Sequence, residues 1–163
     1  MAKSKVSADA KAEIKNICQN RKASFQYELG DRLECGMVLT GTEVKSLRAG
    51  QAGLEGAYAR IENGEIWLHG CEIAEYAMGN QMNHLPKRPR KLLLHRAELA
   101  RFAGRSSERG FTLVPTRLYF KGGKAKVEIA IGRGKKLHDK RQAKKTAEAT
   151  REIRKAMKRK RGD

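Results

Sequence analysis

The sequence has no apolar run long enough to cross a membrane. Even its longest uninterrupted aliphatic runs are no longer than Leu92–Leu94, whereas a spanning helix needs about 20 apolar residues. The first residues, Met1–Ile14, are rich in charge and lack the apolar segment of a secretory signal. We therefore expect a cytoplasmic protein with no membrane partner.

Cysteine is scarce, and the residue patterns typical of metal and catalytic sites are missing. Cys18, Cys35 and Cys71 are far apart without the C-x-x-C spacing of zinc sites, so we interpret them as reduced, partly buried side chains. The four histidines are scattered, and Gly132–Lys136 lacks the first glycine and the hydroxyl residue of a phosphate-binding loop. We expect no metal, no cofactor and no catalytic residue, and hence no enzyme.

Acidic residues are few, and the resulting positive charge is concentrated near the C-terminal end. The chain has 36 lysines and arginines against 18 aspartates and glutamates, a net charge of +18. Residues 133–163 hold 14 of these basic residues and 4 of the acidic ones, so this fifth of the chain carries +10. Such a charge favours a polyanion as the partner.

The composition divides the chain into a folded region, residues 1–132, and a basic tail, residues 133–163. The tail has too few apolar residues to offset the backbone ordering entropy of about 1–2 kcal/mol per residue, so we expect it to be disordered alone. Leu137–Arg161 nevertheless contains no glycine or proline, and its apolar residues recur every three or four positions, Ile153 and Met157 among them. This pattern predicts a helix that forms on a binding surface.

Turn sequences and strand alternation predict a mainly β fold for the folded region. Asn63-Gly64 and Gly122-Gly123 are typical of hairpin turns. Gly30 and Gly36 in the β segment 25–39 predict bulges or bends in this strand. Sharp bends favour a small closed barrel. We therefore expect an antiparallel barrel of the oligonucleotide-binding type with about three peripheral helices. The predicted β segments are 25–39, 57–73 and 111–131, and the predicted helices are 8–18, 42–50 and 95–103.

Basic residues cluster at the bends of this predicted fold. They follow the first helix, lie on the second helix, occupy a loop stiffened by Pro86 and Pro89, and alternate along the last strand, where Glu128 and Ala130 are also predicted to face solvent. Phosphate contacts from such cations, with stacking side chains nearby, are typical of structured-RNA binding. The candidates are Arg21, Lys22, Lys45, Arg48, Lys87, Arg88, Arg90, Lys91, Lys124 and Lys126.

A family resemblance is carried by four segments of the chain, which are Asn20–Ala23, Gly41–Gly50, Arg88–Leu94 and Gly134–Arg141. In this order they resemble the signature segments of the small protein B family, the bacterial partners of transfer-messenger RNA. The resemblance covers about 20–141 and implies an oligonucleotide-binding barrel with a tail that is unstructured until bound. It implies RNA contacts by Glu34, Leu93 and Lys126, and Asn20 in the first segment is a further candidate.

The resemblance also implies a non-enzymatic role in trans-translation. The barrel would hold the tRNA-like domain of transfer-messenger RNA and deliver it to stalled ribosomes, with elongation factor Tu as an indirect partner. The tail would probe the small-subunit decoding centre and the empty mRNA channel. The implied tail residues are Lys135, Lys136, His138, Asp139, Lys140 and Arg141, followed by Ile153 and Met157. The charge pattern by itself leaves open a general ribosomal or structured-RNA-binding protein.

Overall fold

Strands dominate this computed structural model, which describes residues 13–160. The strands in this part of the chain are β1 (Ile14–Gln19), β2 (Tyr27–Met37), β3 (Ala52–Gly53), β4 (Tyr58–Glu62), β5 (Glu65–His69), β6 (Glu72–Ile73), β7 (Arg90–Leu93), β8 (Phe111–Lys121) and β9 (Lys124–Gly134). The helices are α1 (Ala23–Gln26), α2 (Gly41–Arg48), α3 (Arg96–Ser106) and α4 (Leu137–Lys160). The mainly β fold predicted from the sequence is confirmed.

Seven strands form one antiparallel sheet, and six of them are joined by their pairings into a closed ring. The strand order is β1-β8-β4-β5-β7-β2-β9, and β9 also pairs with β8. The short strands β3 and β6 form a separate pair. The strands share one apolar core, to which Leu47 of α2 and Phe102 of α3 contribute fully buried side chains. Removal of this apolar surface from water is the main term that favours the fold.

Both predicted hairpins are present, and their turns explain why. Asn63 has φ 51° and Gly64 has φ 74°, which is the pair of positive angles that a type I′ turn requires. Gly122 and Gly123, with φ 55° and 75°, meet the same requirement between β8 and β9. The local turn therefore sets the register of each hairpin.

The predicted helix 8–18 is wrong where the structure describes it. Ile14–Gln19 is strand β1, which pairs with the long strand β8, while residues 8–12 of that prediction lie outside the described residues. Helical spacing is a weak signal over so few residues, and the hydrogen bonds that β8 offers along its edge outweigh it.

Two other predicted boundaries differ from the structure. Phe25 and Gln26 belong to the helical turn α1 rather than to the following strand. α3 continues past the predicted stop at Gly104 to Ser106. A glycine inside a helix costs only about 1 kcal/mol relative to alanine, and the fully buried Phe102 holds this turn of α3 against the core.

A buried ion-pair network centred on Glu43 holds α2 to β7. Glu43 Oε1 accepts hydrogen bonds from Arg88 Nε and Arg90 Nε, both at 2.8 Å, and Oε2 accepts one from Arg88 Nη2 at 2.5 Å. Arg90 is 0% exposed, and its remaining donors bind the carbonyls of Cys71, Pro86 and Arg88 at 2.6, 2.9 and 3.1 Å. Both buried charges are therefore paired and hydrogen-bonded, which is the condition for such a pair to be tolerated.

Glu43 also closes the N-terminal end of α2. The Thr40 N–H donates to Glu43 Oε2 at 2.8 Å, in a capping box. Burial opposes ionisation, but the hydrogen bonds from Arg88, the Thr40 N–H and Arg90 lower the pKa of Glu43 from 4.5 to about 2. Because this pKa is lowered on folding, the carboxylate stabilises the fold above pH 4.5, and that contribution is lost as the pH falls towards 2.

We expect Glu43→Gln to lower the free energy of unfolding by about 3–5 kcal/mol, because the buried Arg90 loses its counter-charge. Urea denaturation at neutral pH, followed by circular dichroism, measures this change. Glu55→Gln breaks the exposed pair with Lys22 and should leave the midpoint unchanged. The difference between wild type and Glu43→Gln should shrink as the pH falls from 4.5 towards 2. Equal midpoints for the two variants would contradict the role given to Glu43.

Candidate nucleic-acid interface

Three adjacent strands, β2, β9 and β8, place alternate charged side chains on one face of the sheet. The register puts Glu34 opposite Glu128, and Glu128 opposite Arg117. Two residues along, Lys126 lies opposite Tyr119. We call this surface the basic sheet face and define it by Arg32 and Glu34 on β2, Lys124, Lys126 and Glu128 on β9, and Arg117, Tyr119 and Lys121 on β8.

Glu34 lies among hydrogen-bond donors and cations on this face. Tyr119 Oη donates to Glu34 Oε2 at 2.5 Å, and Lys121 Nζ lies 3.3 Å from each carboxylate oxygen. Lys126 Nζ lies 3.6 Å from Oε1. Burial alone would raise the pKa of Glu34, but the hydrogen bonds from Tyr119 and Lys121 and the charges of the two lysines bring it below its ordinary value. The carboxylate is therefore ionised at neutral pH and holds two lysines close together.

Leu93 adjoins this cluster across the neighbouring strand pair. Gly36 of β2 lies between Leu93 on β7 and Lys126 on β9 in the register of the sheet. A Cβ atom on Gly36 would lie 3.3 Å from the Leu93 Cβ, so the glycine allows the close approach of Leu93. Leu93 is 52% exposed. The structure thus brings Glu34, Leu93 and Lys126 to one surface, with an apolar side chain beside fixed cations.

A second carboxylate, Glu128, organises the other end of the face. Its Oε1 accepts hydrogen bonds from Thr116 Oγ1 at 2.7 Å and Arg32 Nη1 at 3.3 Å. Its Oε2 lies 3.1 Å from Arg117 Nε and 2.9 Å from Arg117 Nη2. The Arg117 guanidinium also lies over the Tyr119 ring, 4.8 Å from its centre. Tyr119 therefore connects the two carboxylate clusters.

The basic sheet face combines five cations with two carboxylates, which gives a net charge of +3. Each carboxylate is in contact with two of the cations. Cations held in this way lose less side-chain entropy when they bind an anion. The arrangement suits a rigid polyanion whose charges are fixed in space.

The predicted site residues after β1 have different roles in the structure. Asn20 supports the fold, since its Nδ2 donates to the carbonyls of Leu54 and Pro115 at 3.3 and 3.2 Å and its Oδ1 accepts the N–H of the first residue of α1 at 3.1 Å. Arg21 and Lys22 are exposed at the surface. Arg21 is available to a partner, and Lys22 is held only by an exposed ion pair with Glu55, whereas the Asn20 side chain is already engaged in the fold.

Three of the predicted cations, on α2 and on the loop before β7, are exposed at other places on the surface. Lys45 and Arg48 are exposed on α2, and Lys45 Nζ lies 5.1 Å from the centre of the Tyr76 ring. Lys87 is exposed and lies 3.6 Å from a carboxylate oxygen of Glu72. These cations lie outside the basic sheet face as defined above.

The prediction that every cation of the 87–91 stretch lies at the surface is wrong for Arg90. Its guanidinium is completely enclosed by Glu43 and by three backbone carbonyls, so it stabilises the fold. Arg88 shares Glu43 and remains partly exposed, and Lys91 forms an ion pair with Glu65.

The strand residues at the end of the folded region correct two other predictions. Glu128 is only 9% exposed, because Arg32 and Arg117 cover its carboxylate. Ala130 is fully buried, and in the register of the sheet it lies between Arg32 of β2 and the buried Val114 of β8. The boundary predicted after residue 132 falls within β9, which continues to Gly134.

The tail begins with an anchored residue and continues as a helix. The Lys135 N–H donates to the Gln26 carbonyl at 3.0 Å, and Lys135 Nζ donates to the Ser24 carbonyl at 2.8 Å. The segment predicted to become helical on a binding surface forms α4 in this structure, and residues 144–157 are exposed. That the helix depends on a partner stays a prediction. The other predicted tail residues differ in exposure. Lys140 is half-buried, and the side chain of His138 lies outside the described residues. The exposed ones are Lys136, Asp139, Arg141, Ile153 and Met157.

Sequence reasoning missed five residues of the basic sheet face as site residues, namely Arg32, Arg117, Tyr119, Lys121 and Glu128. A signal for four of them was available, because the Gly122-Gly123 turn pairs Lys121 with Lys124, Tyr119 with Lys126 and Arg117 with Glu128. The register shift in β8 comes only after Arg117, so this register holds up to that residue. Arg32 belongs to a strand distant in sequence, and no local pattern reports its position.

In the described part of the chain, no three His, Cys, Asp or Glu side chains are grouped so that they could hold a metal, and no helix there is long and apolar enough to span a bilayer. The three cysteines are free. Burial raises the pKa of Cys18 to about 11 and those of Cys35 and Cys71 to about 12, so they are protonated thiols at neutral pH.

The fold and this surface define a mainly β, strongly basic protein suited to a polyanionic partner. The model of the SmpB protein family matches residues 17–159, and the chain belongs to this family. An SsrA-binding protein of Desulforudis audaxviator is 52% identical over 147 residues, which are 90% of this chain and 96% of that relative. One of Thermobifida fusca is 55% identical over 147 residues, 90% and 92% of the two chains. A chain of the solved structure described as "tmRNA-SmpB: a journey to the center of the bacterial ribosome" has a TM-score of 0.65 and 45% identity, and the match covers 77% of this chain and 92% of that one.

We expect Tyr119→Phe to raise the pKa of Glu34, because the variant lacks the hydroxyl that donates to this carboxylate. A carbon-detected NMR titration of the Glu34 carboxyl group measures the change. Tyr58→Phe is the matched control, since Tyr58 stacks on His69 with the ring centres 5.3 Å apart and does not belong to the face. If both variants leave the pKa of Glu34 at the wild-type value, the hydroxyl does not organise this cluster.

Proposed function

We propose that this protein binds the tRNA-like domain of transfer-messenger RNA and delivers it to stalled ribosomes in trans-translation. Relatives that share about half of its residues are named SsrA-binding proteins, and the similar solved structure is described as tmRNA-SmpB and the bacterial ribosome. The convergence of Glu34, Leu93 and Lys126 on one basic face carries the proposal. The protein acts by binding rather than by catalysis, and its place of action is the cytoplasm, with the ribosome.

The closed circuit of strand pairings supports an oligonucleotide-binding barrel as the fold. Pairing of β9 with both β2 and β8 leaves six strands joined in a ring. Register shifts in β2 between Leu29 and Arg32, and in β8 between Pro115 and Arg117, supply the sharp bends that closure of a small barrel needs. Folds of this kind bind nucleic acid on a strand face, where the basic sheet face lies here.

The chemistry of the face suits structured RNA. Double-stranded RNA is recognised mainly by its shape and by contacts to phosphates and 2′-hydroxyls. Lys121 and Lys126 supply cations for phosphates, and the exposed Leu93 supplies an apolar surface for a ribose or a base. Glu34 repels phosphate, but its ion pairs fix both lysines, so we assign it a positioning role.

The same assignment explains the tail. At about 1.5 Å per residue, the 24 residues of α4 extend roughly 36 Å, a length suited to an elongated channel. We propose that the tail is disordered in the free protein and becomes helical in the empty mRNA channel, with Ile153 and Met157 packed on the channel wall. Residues 135–141 would then lie at the decoding centre. A message in the channel would exclude the tail, which restricts the protein to ribosomes with a truncated message.

We expect Lys126→Gln to weaken binding to the tRNA-like domain about threefold and to reduce the slope of log K against log salt by a little under one, because one phosphate contact is lost. Fluorescence anisotropy over a series of KCl concentrations gives both values. Arg60→Gln removes the same charge from a 70% exposed arginine on β4 and should change neither. Equal affinity of the wild type for unrelated RNA hairpins would favour a general RNA-binding protein instead.

We expect deletion of residues 135–163 to preserve binding to the tRNA-like domain and to abolish tagging of peptides on stalled ribosomes. The deletion starts after Gly134, because β9 extends to this residue and pairs with β2. RNA binding and an in vitro tagging assay, performed on the same preparation, separate the two activities. Loss of RNA affinity in the truncated protein would contradict the division of roles between the face and the tail.

A further inference from the structure

A polar pocket of about 390 Å³ opens at the Glu128 end of the basic sheet face. Arg21, Arg32 and Arg117 line it together with Glu128. Arg32 and Arg117 lie outside the set of residues for which the family resemblance implies a role. Three guanidinium groups around one carboxylate give this pocket a net charge of +2, which favours an anion as its ligand.

The two arginines of β2 and β8 are held in place by a single buried carboxylate. Glu128, 9% exposed, lies between Arg32 and Arg117 and also accepts the Thr116 hydroxyl. A buried carboxylate with these partners is fully compensated, so it serves as an anchor for the two guanidinium groups. The side chains of Arg32 and Arg117 are still 59% and 39% exposed.

The anchored arginines retain donors for a ligand. A guanidinium group carries five N–H donors, and in the described hydrogen bonds and ion pairs Arg32 uses Nη1, while Arg117 uses Nε and Nη2. The Tyr119 ring lies against one side of the Arg117 guanidinium, at 4.8 Å, and restricts its orientation. Planar, oriented guanidinium groups are the donors best matched to the oxygens of a phosphate.

We propose that Arg32 and Arg117 form a binding site for a phosphodiester group of the RNA backbone, with Arg21 as the third cation at its rim. This site rests on the proposed function, because it extends the row of cations from Lys121 and Lys126 along the same face. It provides the face with a second point of attachment to the same RNA. Two separate points fix the orientation of the bound RNA, whereas one leaves it free to rotate.

The test compares two arginines of equal exposure at different places in the fold. Arg32 is 59% exposed and pairs with the buried Glu128, while Arg105 on α3 is 58% exposed and pairs with the exposed Asp31. Arg32→Gln and Arg105→Gln therefore remove the same charge from equally exposed side chains. The full-length proteins are titrated with the tRNA-like domain RNA, and with an unrelated RNA hairpin, over a series of KCl concentrations.

We expect Arg32→Gln to weaken binding of the tRNA-like domain about threefold and to lower the salt slope by roughly 0.7–0.9, and Arg105→Gln to leave both at the wild-type values. Arg117→Lys keeps a cation beside Glu128 but lacks the guanidinium fork, so it should weaken binding of the tRNA-like domain. The thermal midpoint of this variant, measured by circular dichroism, should stay close to that of the wild type. Equal effects of Arg32→Gln and Arg105→Gln would overturn the site.

The two RNA probes separate this inference from the proposed function. If wild type prefers the tRNA-like domain and Arg32→Gln binds it as tightly as wild type, the phosphate site is wrong and the proposed function stands. If wild type binds both RNAs equally and Arg32→Gln weakens both, the site is a general phosphate site and the proposed function is wrong.

Discussion

The structure depends on carboxylates that each hold two cations together. Like charges repel, so a small protein with an excess of lysine and arginine keeps them close only where an acidic group lies between them. Glu43, Glu34 and Glu128 all have this arrangement, and each contacts two basic side chains. These three glutamates are therefore the centres around which basic side chains are grouped in the folded region.

Burial decides what each of these clusters does. Glu43 and Arg90 are completely enclosed, so their ion pair joins α2 to β7 and presents no charge to a partner. Glu34 and Glu128 lie on a sheet face where their cations remain exposed or half-buried, so the same arrangement fixes the spacing of charges that a partner can reach. One electrostatic motif thus serves the fold in one place and recognition in another.

The sequence predicted those parts of the fold that depend on neighbouring residues. Asn63 and Gly64 specify their turn by backbone geometry alone, and the hairpin follows. The burial of Glu43 could not be predicted in this way: in the sequence it is an ordinary acidic residue in the first turn of a helix, and its arginine partner lies 47 residues further on. β1 was missed for the same reason, since only its pairing with β8 makes it a strand.

The candidate site shows the same division between local and distant information. The family resemblance named Glu34, Leu93 and Lys126 separately, and their proximity depends on how β7, β2 and β9 pair. Tyr119 follows from the register that the Gly122-Gly123 turn imposes. Because the candidate surface is assembled across strands, the sequence identifies its residues one at a time, and only the fold shows that they lie together.

The tail and the sheet face are both positively charged, but they differ in whether carboxylates hold their cations. α4 contains ten lysines and arginines and three acidic residues, and no ion pair is formed among those of its side chains that the structure describes. Its cations therefore repel one another along the helix and are relieved only by a partner that surrounds them with negative charge. A sheet face with compensated, fixed cations suits one RNA shape, whereas a helix with uncompensated cations suits a long polyanionic groove. The proposed helix formation on the ribosome follows from this difference, because the groove supplies the counter-charge that the tail itself lacks.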